Sequence, residues 1–292
     1  LITGASGLLG QYLNISLSEE HEIACLYHKN IGNCNQFRSI KINLNNNESL
    51  KKIFNEFNPE VVIHTAAISS PTLTNNISPK EVYDLNVRST KYISELCDLS
   101  NAKLIYTSTD LVYAGYRGSM LKEDSKLIPI SLYAESKLMG EVMIQNTFDN
   151  FIIFRTALLY GFGLNHSKNH FHYMYQSLKN QKEVKLFIDQ YRTPLSLLET
   201  AKIIRYFVNK DVKSEIINLG GNERVSRFEL GERLCEIAKF DQSLLIKSKM
   251  DDVPELPKVE DVSLNTDKLK SYGIKQKSIT ESIEEILKYN YC

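Results

Sequence analysis

Leu1-Ile2-Thr3-Gly4-Ala5-Ser6-Gly7-Leu8-Leu9-Gly10-Gln11-Tyr12-Leu13 opens the chain. An apolar strand end runs into glycines at 4, 7 and 10, and these run into a helical pattern. Glycine admits a tight turn and lets backbone approach a ligand closely. The helix start behind such a turn offers amides and a positive dipole end to a pyrophosphate. The spacing is G-x-x-G-x-x-G, not the common G-x-G-x-x-G, but the physics is the same. The stretch predicts the first strand, turn and helix of a dinucleotide-binding α/β fold. The strand begins at the first residue, so a few residues are expected to precede it.

Outward from this turn, strand and helix signals alternate. Residues 22–27, 39–42, 61–64, 103–108 and 151–154 read as strands, and 48–57, 79–100 and 131–146 as helices. Such alternation implies a doubly wound parallel sheet with right-handed crossovers. Ligands of these sheets bind beyond the carboxyl ends of the strands. After Gly161 the pattern loosens. Residues 161–182 are rich in Asn, His and aromatics, and Pro254-Glu255-Leu256-Pro257 marks a second irregular stretch. Between them, 199–209 reads as a helix and 215–219 as a further strand.

Tyr133-Ala134-Glu135-Ser136-Lys137 carries the chemistry, with Ser108-Thr109-Asp110 upstream. Tyrosine and lysine four apart on a helix share one face. An ammonium beside a phenol is expected to lower the phenol pKa, so that Tyr133 exchanges a proton near neutral pH. Thr109 can supply a second hydrogen bond to the same substrate oxygen. A reversible hydride transfer at a carbon–oxygen bond requires these groups. Cofactor choice turns on the end of the second strand, Tyr27-His28-Lys29. An acid there would accept ribose hydroxyls and favour NAD. Its absence, with basic His28 and Lys29, favours NADP, and NAD stays open.

Composition excludes other classes. The 292 residues are 42 % apolar and 24 % charged, with 35 basic and 35 acidic side chains and no long basic block. A broad nucleic-acid-binding face is not expected. No apolar run approaches membrane-spanning length and the start reads as a strand, not a signal peptide, so a cytoplasmic protein off the membrane is expected. Cysteines 25, 34, 97, 235 and 292 lack metal-ligand spacing and are expected to be reduced thiols. His166, His170 and His172 read as polar residues of a loop, not as a metal site.

These motifs resemble the extended short-chain dehydrogenase/reductases, closest to their dTDP-4-dehydrorhamnose reductase group. The resemblance spans nearly the whole chain. It rests on Thr3 to Gly10, Val62-Ile63-His64-Thr65-Ala66-Ala67, Asn86-Val87, Tyr106 to Tyr113, Tyr133 to Lys137 with Gly140-Glu141, Arg155-Thr156, Tyr160-Gly161, and Asp189-Gln190 with Thr193-Pro194. It implies a Rossmann domain over 1–160, with 195–221 returning to it, and a mainly substrate-binding lobe over 161–292. It implies Thr109, Tyr133 and Lys137 as catalytic residues, Lys137 also bonding the nicotinamide ribose. Cofactor contacts are implied for Gly4, Ser6, Gly7, Leu8 and Leu9 at the turn, and for Asn43 and Leu44 near the adenine. Further contacts are implied for Thr65, Ala66 and Ala67, for Asn86, and for Thr107 and Thr156 at later strand ends. Asp110, Gln190 and Arg192 are implied on the substrate side, with Arg155, Arg224 and Lys258 as weaker candidates.

The resemblance points to reduction of a nucleotide-linked 4-keto-sugar, and it allows a homodimer. Relatives that dehydrate sugar nucleotides carry Thr-Asp-Glu where this chain has Thr109-Asp110-Leu111. Leucine moves no proton, so dehydration is disfavoured. Two alternatives stay open: an epimerase of the same family, and a non-catalytic NADP-binding subunit. The β subunit of methionine adenosyltransferase resembles the same reductases and shares a Y-x-x-x-K and a Gly-Leu-Leu-Gly turn.

Overall fold

Apolar runs buried on both faces make the central strands. A computed structural model describes residues 1–69, 77–253 and 257–289. Pro254, Glu255, Leu256 and Cys292 lie outside the described residues. The order begins β1 (Ile2–Thr3), α1 (Leu8–Ser18), β2 (Ala24–Tyr27), β3 (Arg38–Lys41), α2 (Asn47–Phe57) and β4 (Val61–His64). Next come α3 (Pro79–Tyr83) and α4 (Ser89–Ser100), joined by a π-helical turn at Asp84–Arg88. Then follow β5 (Lys103–Thr109), α5 (Leu132–Gln145) and β6 (Phe151–Thr156). The remainder holds β7 (Leu159–Tyr160), α6 (His170–Lys179), β8 (Val184–Phe187), β9 (Tyr191–Arg192), β10 (Leu195–Ser196) and α7 (Leu197–Val208). It ends with β11 (Glu215–Leu219), β12 (Val225–Ser226), α8 (Arg227–Ala238), β13 (Leu245–Ser248), α9 (Asp267–Ser271) and α10 (Ile279–Lys288).

Seven parallel strands form one sheet in the order β11-β6-β5-β4-β1-β2-β3. Alternate residues of a strand face opposite sides. Ile105, Ile152 and Phe154 therefore meet Leu13 and Leu17 of α1 and Ile204 and Phe207 of α7. Leu104, Tyr106 and Ile153 meet Phe54 of α2, Ile93 and Cys97 of α4 and Ile144 of α5. Fully burying each such aliphatic side chain contributes about 1.5–3 kcal/mol. A third core joins α6, α8 and α10 through Phe171, Met174, Leu178, Phe228, Leu234 and Ile283.

The stretch after Gly161 departs from the expected loop. Residues His170–Lys179 form α6, started by Asn169, whose side chain accepts from the His172 amide at 2.9 Å. Phe171, Met174 and Leu178 recur at helical spacing and are buried. His170 and His172 thus stand on a helix. His172 turns to the protein, edge-on to Phe162, while His166 and His170 open on the cleft described below. Among the described residues no group of His, Cys, Asp or Glu could hold a metal ion. The four described cysteines are buried free thiols. Among the described residues no helix is long and apolar enough to cross a membrane.

Candidate active site

A cleft of about 1070 Å³ runs along the carboxyl ends of the parallel strands. Its floor is the glycine turn. Gly4 has φ +65°, and a β-carbon there would stand 2.7 Å from the Ala66 nitrogen and 2.9 Å from Thr65 Oγ1. A side chain would close the turn against the loop after β4. Gly7 caps α1 without a side-chain bond, and the first turn of α1 carries no acid. The cradle suits a pyrophosphate: shallow, backbone-lined and at the positive end of a helix. Ser6, Leu8, Leu9, Thr65, Ala66 and Ala67 line it, as do Thr107 and Thr156 farther along. Beyond the end of β2 the lining is Tyr27, His28, Lys29 and Asn30, facing Asn43 and Leu44.

A β-carbon on Gly7 meets only the Gly4 carbonyl, at 3.0 Å. Gly7→Val is therefore expected to fold while filling the cradle. Losing one charge-assisted bond to a phosphate costs about 1.5–3 kcal/mol, or roughly ten- to a hundredfold in affinity. Fluorescence titration with NADPH, beside a thermal melt, checks this. Wild-type affinity in a folded Gly7→Val protein would place the dinucleotide elsewhere.

Three of the expected groups meet deeper in the cleft. β5 ends at Thr109, and α5 begins after Ser131, whose hydroxyl accepts from the Ala134 amide at 3.2 Å. Tyr133 thereby sits in the first turn of α5, on the cleft with Thr109 and near enough for the Thr109 hydroxyl to act on its phenol. Lys137 lies one turn on and is only 2 % exposed. The expected lowering of the phenol pKa by Lys137 is not what the structure gives. Burial, and then the Asp110 charge, push Tyr133 above the usual tyrosine range, and the Thr109 hydroxyl opposes them. The Lys137 ammonium instead sits over the Tyr106 ring, 3.9 Å from its centre. Burial brings Lys137 down to about 7, against the pull of Glu141. The i, i+4 spacing is present, but Tyr106 on β5 draws the ammonium aside.

Asn86 also departs from expectation. It is 1 % exposed and does not line the cleft. Its amide donates to Ser136 Oγ at 2.9 Å and the Ile68 carbonyl at 3.2 Å, and its oxygen accepts from the Ile68 amide at 2.9 Å. With its carbonyl and amide both engaged in these bonds, it fastens the loop after β4 to the helix that carries Tyr133. It sits in the π-helical turn, a distortion frequent at functional sites. Arg155 likewise turns inward: its Nη2 and Nε donate to Glu141 at 2.8 and 3.2 Å, and its Nη1 donates to Tyr113 Oη at 2.9 Å. Ser108 donates to the same Glu141. Arg224 pairs with Asp261 at 2.7 Å, and exposed Lys258 pairs with Asp251.

The far wall holds Asp110, Gln190 and Arg192, all lining the cleft. Arg192 Nε stands 3.5 Å from Asp110 Oδ2. Arg227 joins them, donating from Nε to Gln190 Oε1 at 3.0 Å. Sequence reasoning passed over Arg227. Ser226-Arg227-Phe228-Glu229 reads as the start of a helix, and a capping box does form there. Only the antiparallel pairing of β12 with β9, Ser226 beside Tyr191 and Val225 beside Arg192, brings Arg227 to the cleft.

The family described as the RmlD substrate binding domain matches residues 1–292. The dTDP-4-dehydrorhamnose reductase of Aggregatibacter actinomycetemcomitans is 27 % identical over 255 residues, covering 85 % of this chain and 80 % of that protein. Methionine adenosyltransferase 2 subunit beta of Xenopus laevis is 25 % identical over 285 residues, covering 95 % and 83 %. The crystal structure of dTDP-4-dehydrorhamnose reductase from Bacillus anthracis, solved in complex with NADP, superposes with a TM-score of 0.83 at 21 % identity, covering 99 % and 98 % of the two chains. The fold, the glycine cradle at its sheet ends and the match over residues 1–292 agree: the chain belongs to the RmlD substrate binding domain family.

Proposed function

We propose that this protein reduces the keto group of a nucleotide-linked 4-keto-sugar with NADPH. The observation that carries the reading is the meeting of Thr109, Tyr133 and Lys137 in a glycine-floored cleft with a cationic far wall. Bound nicotinamide dinucleotide would supply the hydride. Tyr133 would give its proton to the oxygen that becomes the alcohol. Thr109 would hold that oxygen in line, and Lys137 would bond the ribose and, while protonated, place positive charge beneath the site. A phenol held protonated has its proton in place to give in the reducing direction, though its raised pKa makes it a weaker acid than one poised near neutrality. Leu111, on the cleft beside Asp110, provides no second carboxylate for elimination. The named reductases among the relatives favour the same reaction. The test is NADPH oxidation against dTDP-, GDP- and CDP-linked 4-keto-sugars; turnover of none of them would reject the reading.

The preference for NADPH would come from His28 and Lys29, with no acid at the end of β2. Changing both to alanine is expected to weaken NADPH more than NADH, by about 1.5–3 kcal/mol for charge-assisted bonds to the 2′-phosphate. Equal weakening of both cofactors in a titration would show that these side chains contact a part the two share and do not read the 2′-phosphate; no weakening of either would show that they face solvent.

A second reading has one observation in its favour. The alignment with methionine adenosyltransferase 2 subunit beta covers 95 % of this chain, more than the 85 % covered by the reductase. In that reading the protein binds NADP and regulates a partner enzyme. Tight NADPH binding without turnover of any keto-sugar nucleotide, joined by co-purification of a methionine adenosyltransferase, would select it.

A further inference from the structure

Three charges meet on the far wall of the cleft. Asp110 is 4 % exposed, and its Oδ1 accepts from Thr109 Oγ1 at 3.1 Å. Its Oδ2 lies 3.5 Å from Arg192 Nε yet has no hydrogen-bond partner, although it is fully buried. A buried carboxylate oxygen left without a hydrogen bond is uncommon and costly. Arg192 is 5 % exposed and spends Nη1 on the carbonyls of Tyr191 and Val259, at 2.6 and 3.4 Å. Arg227 is close enough for its charge to act on both Asp110 and Arg192. Two guanidiniums against one carboxylate leave a positive charge over. Burial first, and then Arg192, bring Arg227 down to about 9. Lys168 and Lys185 also line the cleft. In a chain with equal numbers of acidic and basic residues, this wall gathers cations about a single acid.

The pairing of Arg192 with Asp110 is loose, and guanidiniums match phosphate oxygens better than a carboxylate at 3.5 Å. On the footing of the sugar-nucleotide reading above, we propose that Asp110 is the internal counter-ion of an anion site made by Arg192 and Arg227. A substrate phosphate displaces it from them, leaving Asp110 to Thr109 and Tyr133 as a second proton-bearing group. Each element around Asp110 enters the balance. Thr109 bonds to it from its own segment, Tyr133 faces it from α5, Arg192 from β9 and Arg227 from α8. Asp261 in turn acts on Arg192, and Arg227 on His170.

Burial already holds Asp110 above the usual carboxylate range, and the two arginines oppose that shift. Once a phosphate takes both guanidiniums, the opposition is spent and burial remains. The carboxylate then takes one proton from solvent and becomes a carboxylic acid. Its negative charge no longer presses on the Tyr133 phenol. Binding at the phosphate end thus sets the proton state at the reacting end.

The experiment is calorimetric titration of the NADP-saturated protein with dTDP and UDP, in buffers of different ionisation enthalpy at pH 7–8. Wild type is expected to take up a substantial part of one proton per ligand bound, and Asp110→Asn none. Asp110→Asn is expected to bind dTDP at least as tightly as wild type, because the internal competitor is gone. Arg227→Gln is expected to bind about tenfold more weakly or worse, the scale of a lost charge-assisted pair, and Arg227→Lys to recover part of that. NADPH affinity, measured alongside, should stay unchanged in all variants and certifies their fold. Weaker dTDP binding by Asp110→Asn, or proton uptake equal to wild type, would overturn the inference. Binding by wild type that Arg227→Gln leaves intact would overturn the inference alone. Binding of neither nucleotide by wild type would overturn the sugar-nucleotide reading and the inference with it.

Discussion

Tyr133→Phe is expected to lower the rate of keto-sugar reduction by about 10²-fold or more, the usual effect of losing a general acid. The ring shape survives, so the half-buried first turn of α5 keeps its packing and NADPH affinity should change little. The loss belongs in kcat and kcat/KM together, since the hydroxyl acts on the oxygen only as charge develops there. The pH profile adds an independent check. In the proposed reaction activity needs the protonated phenol, so it is expected to decline on the alkaline side, through the Tyr133 pKa. Burial and Asp110 hold that pKa above the ordinary tyrosine value near 10, so the decline should begin above that range. Removing the Asp110 charge should move the decline toward lower pH. Single-turnover mixing of NADPH-loaded protein with keto-sugar nucleotide separates the chemical step from release. A wild-type rate in Tyr133→Phe would assign the proton to another donor.

The fold was readable from the sequence because parallel strands are buried on both faces. Val61–His64 carries no turn residue, Glu215–Leu219 carries one, the buried Asn218, and both lie in the sheet as expected. The glycine turn was readable because Gly4 stands at positive φ against the Ala66 backbone, a place no other residue fits. Reading failed where a side chain had two destinations. The spacing of Tyr133 and Lys137 shows that they share a helix face, yet the aim of the ammonium depends on Tyr106, which comes from a strand. The segment 79–100 reads as one helix, and the wide turn that seats Asn86 between Ile68 and Ser136 has no local signature. Arg155 follows an apolar strand and looked available to a ligand. Its partner Glu141 lies one helix earlier, at a position that reads only as polar. Arg227 is the plainest case, since it stands 35 positions beyond Arg192 and only the β9–β12 pairing joins them.

Glu141→Ala is expected to destabilise the fold by about 3–5 kcal/mol, the cost of leaving one partner of a buried ion pair uncompensated. Glu141 is fully buried and Arg155 is 2 % exposed, so neither charge has water to turn to. The carboxylate accepts from Arg155 through Nε and Nη2 and from Ser108 as well. Ser108 immediately precedes Thr109 on β5, and Arg155 stands beside Ser108 across the β5–β6 ladder. The pair therefore fixes the strand end that presents the Thr109 hydroxyl to Tyr133. Loss of Glu141 should lower the urea midpoint, and in protein that remains folded it should lower kcat more than NADPH affinity. Breaking the pair is costly because a charge is stranded, so removing both charges should hurt less than removing one. Glu141→Leu with Arg155→Met is expected to regain most of the stability while the Thr109 hydroxyl, no longer braced, still supports a reduced rate. A loss below about 1 kcal/mol in Glu141→Ala, the range of an exposed pair, would show that Arg155 finds another partner and that the strand end is held by backbone alone.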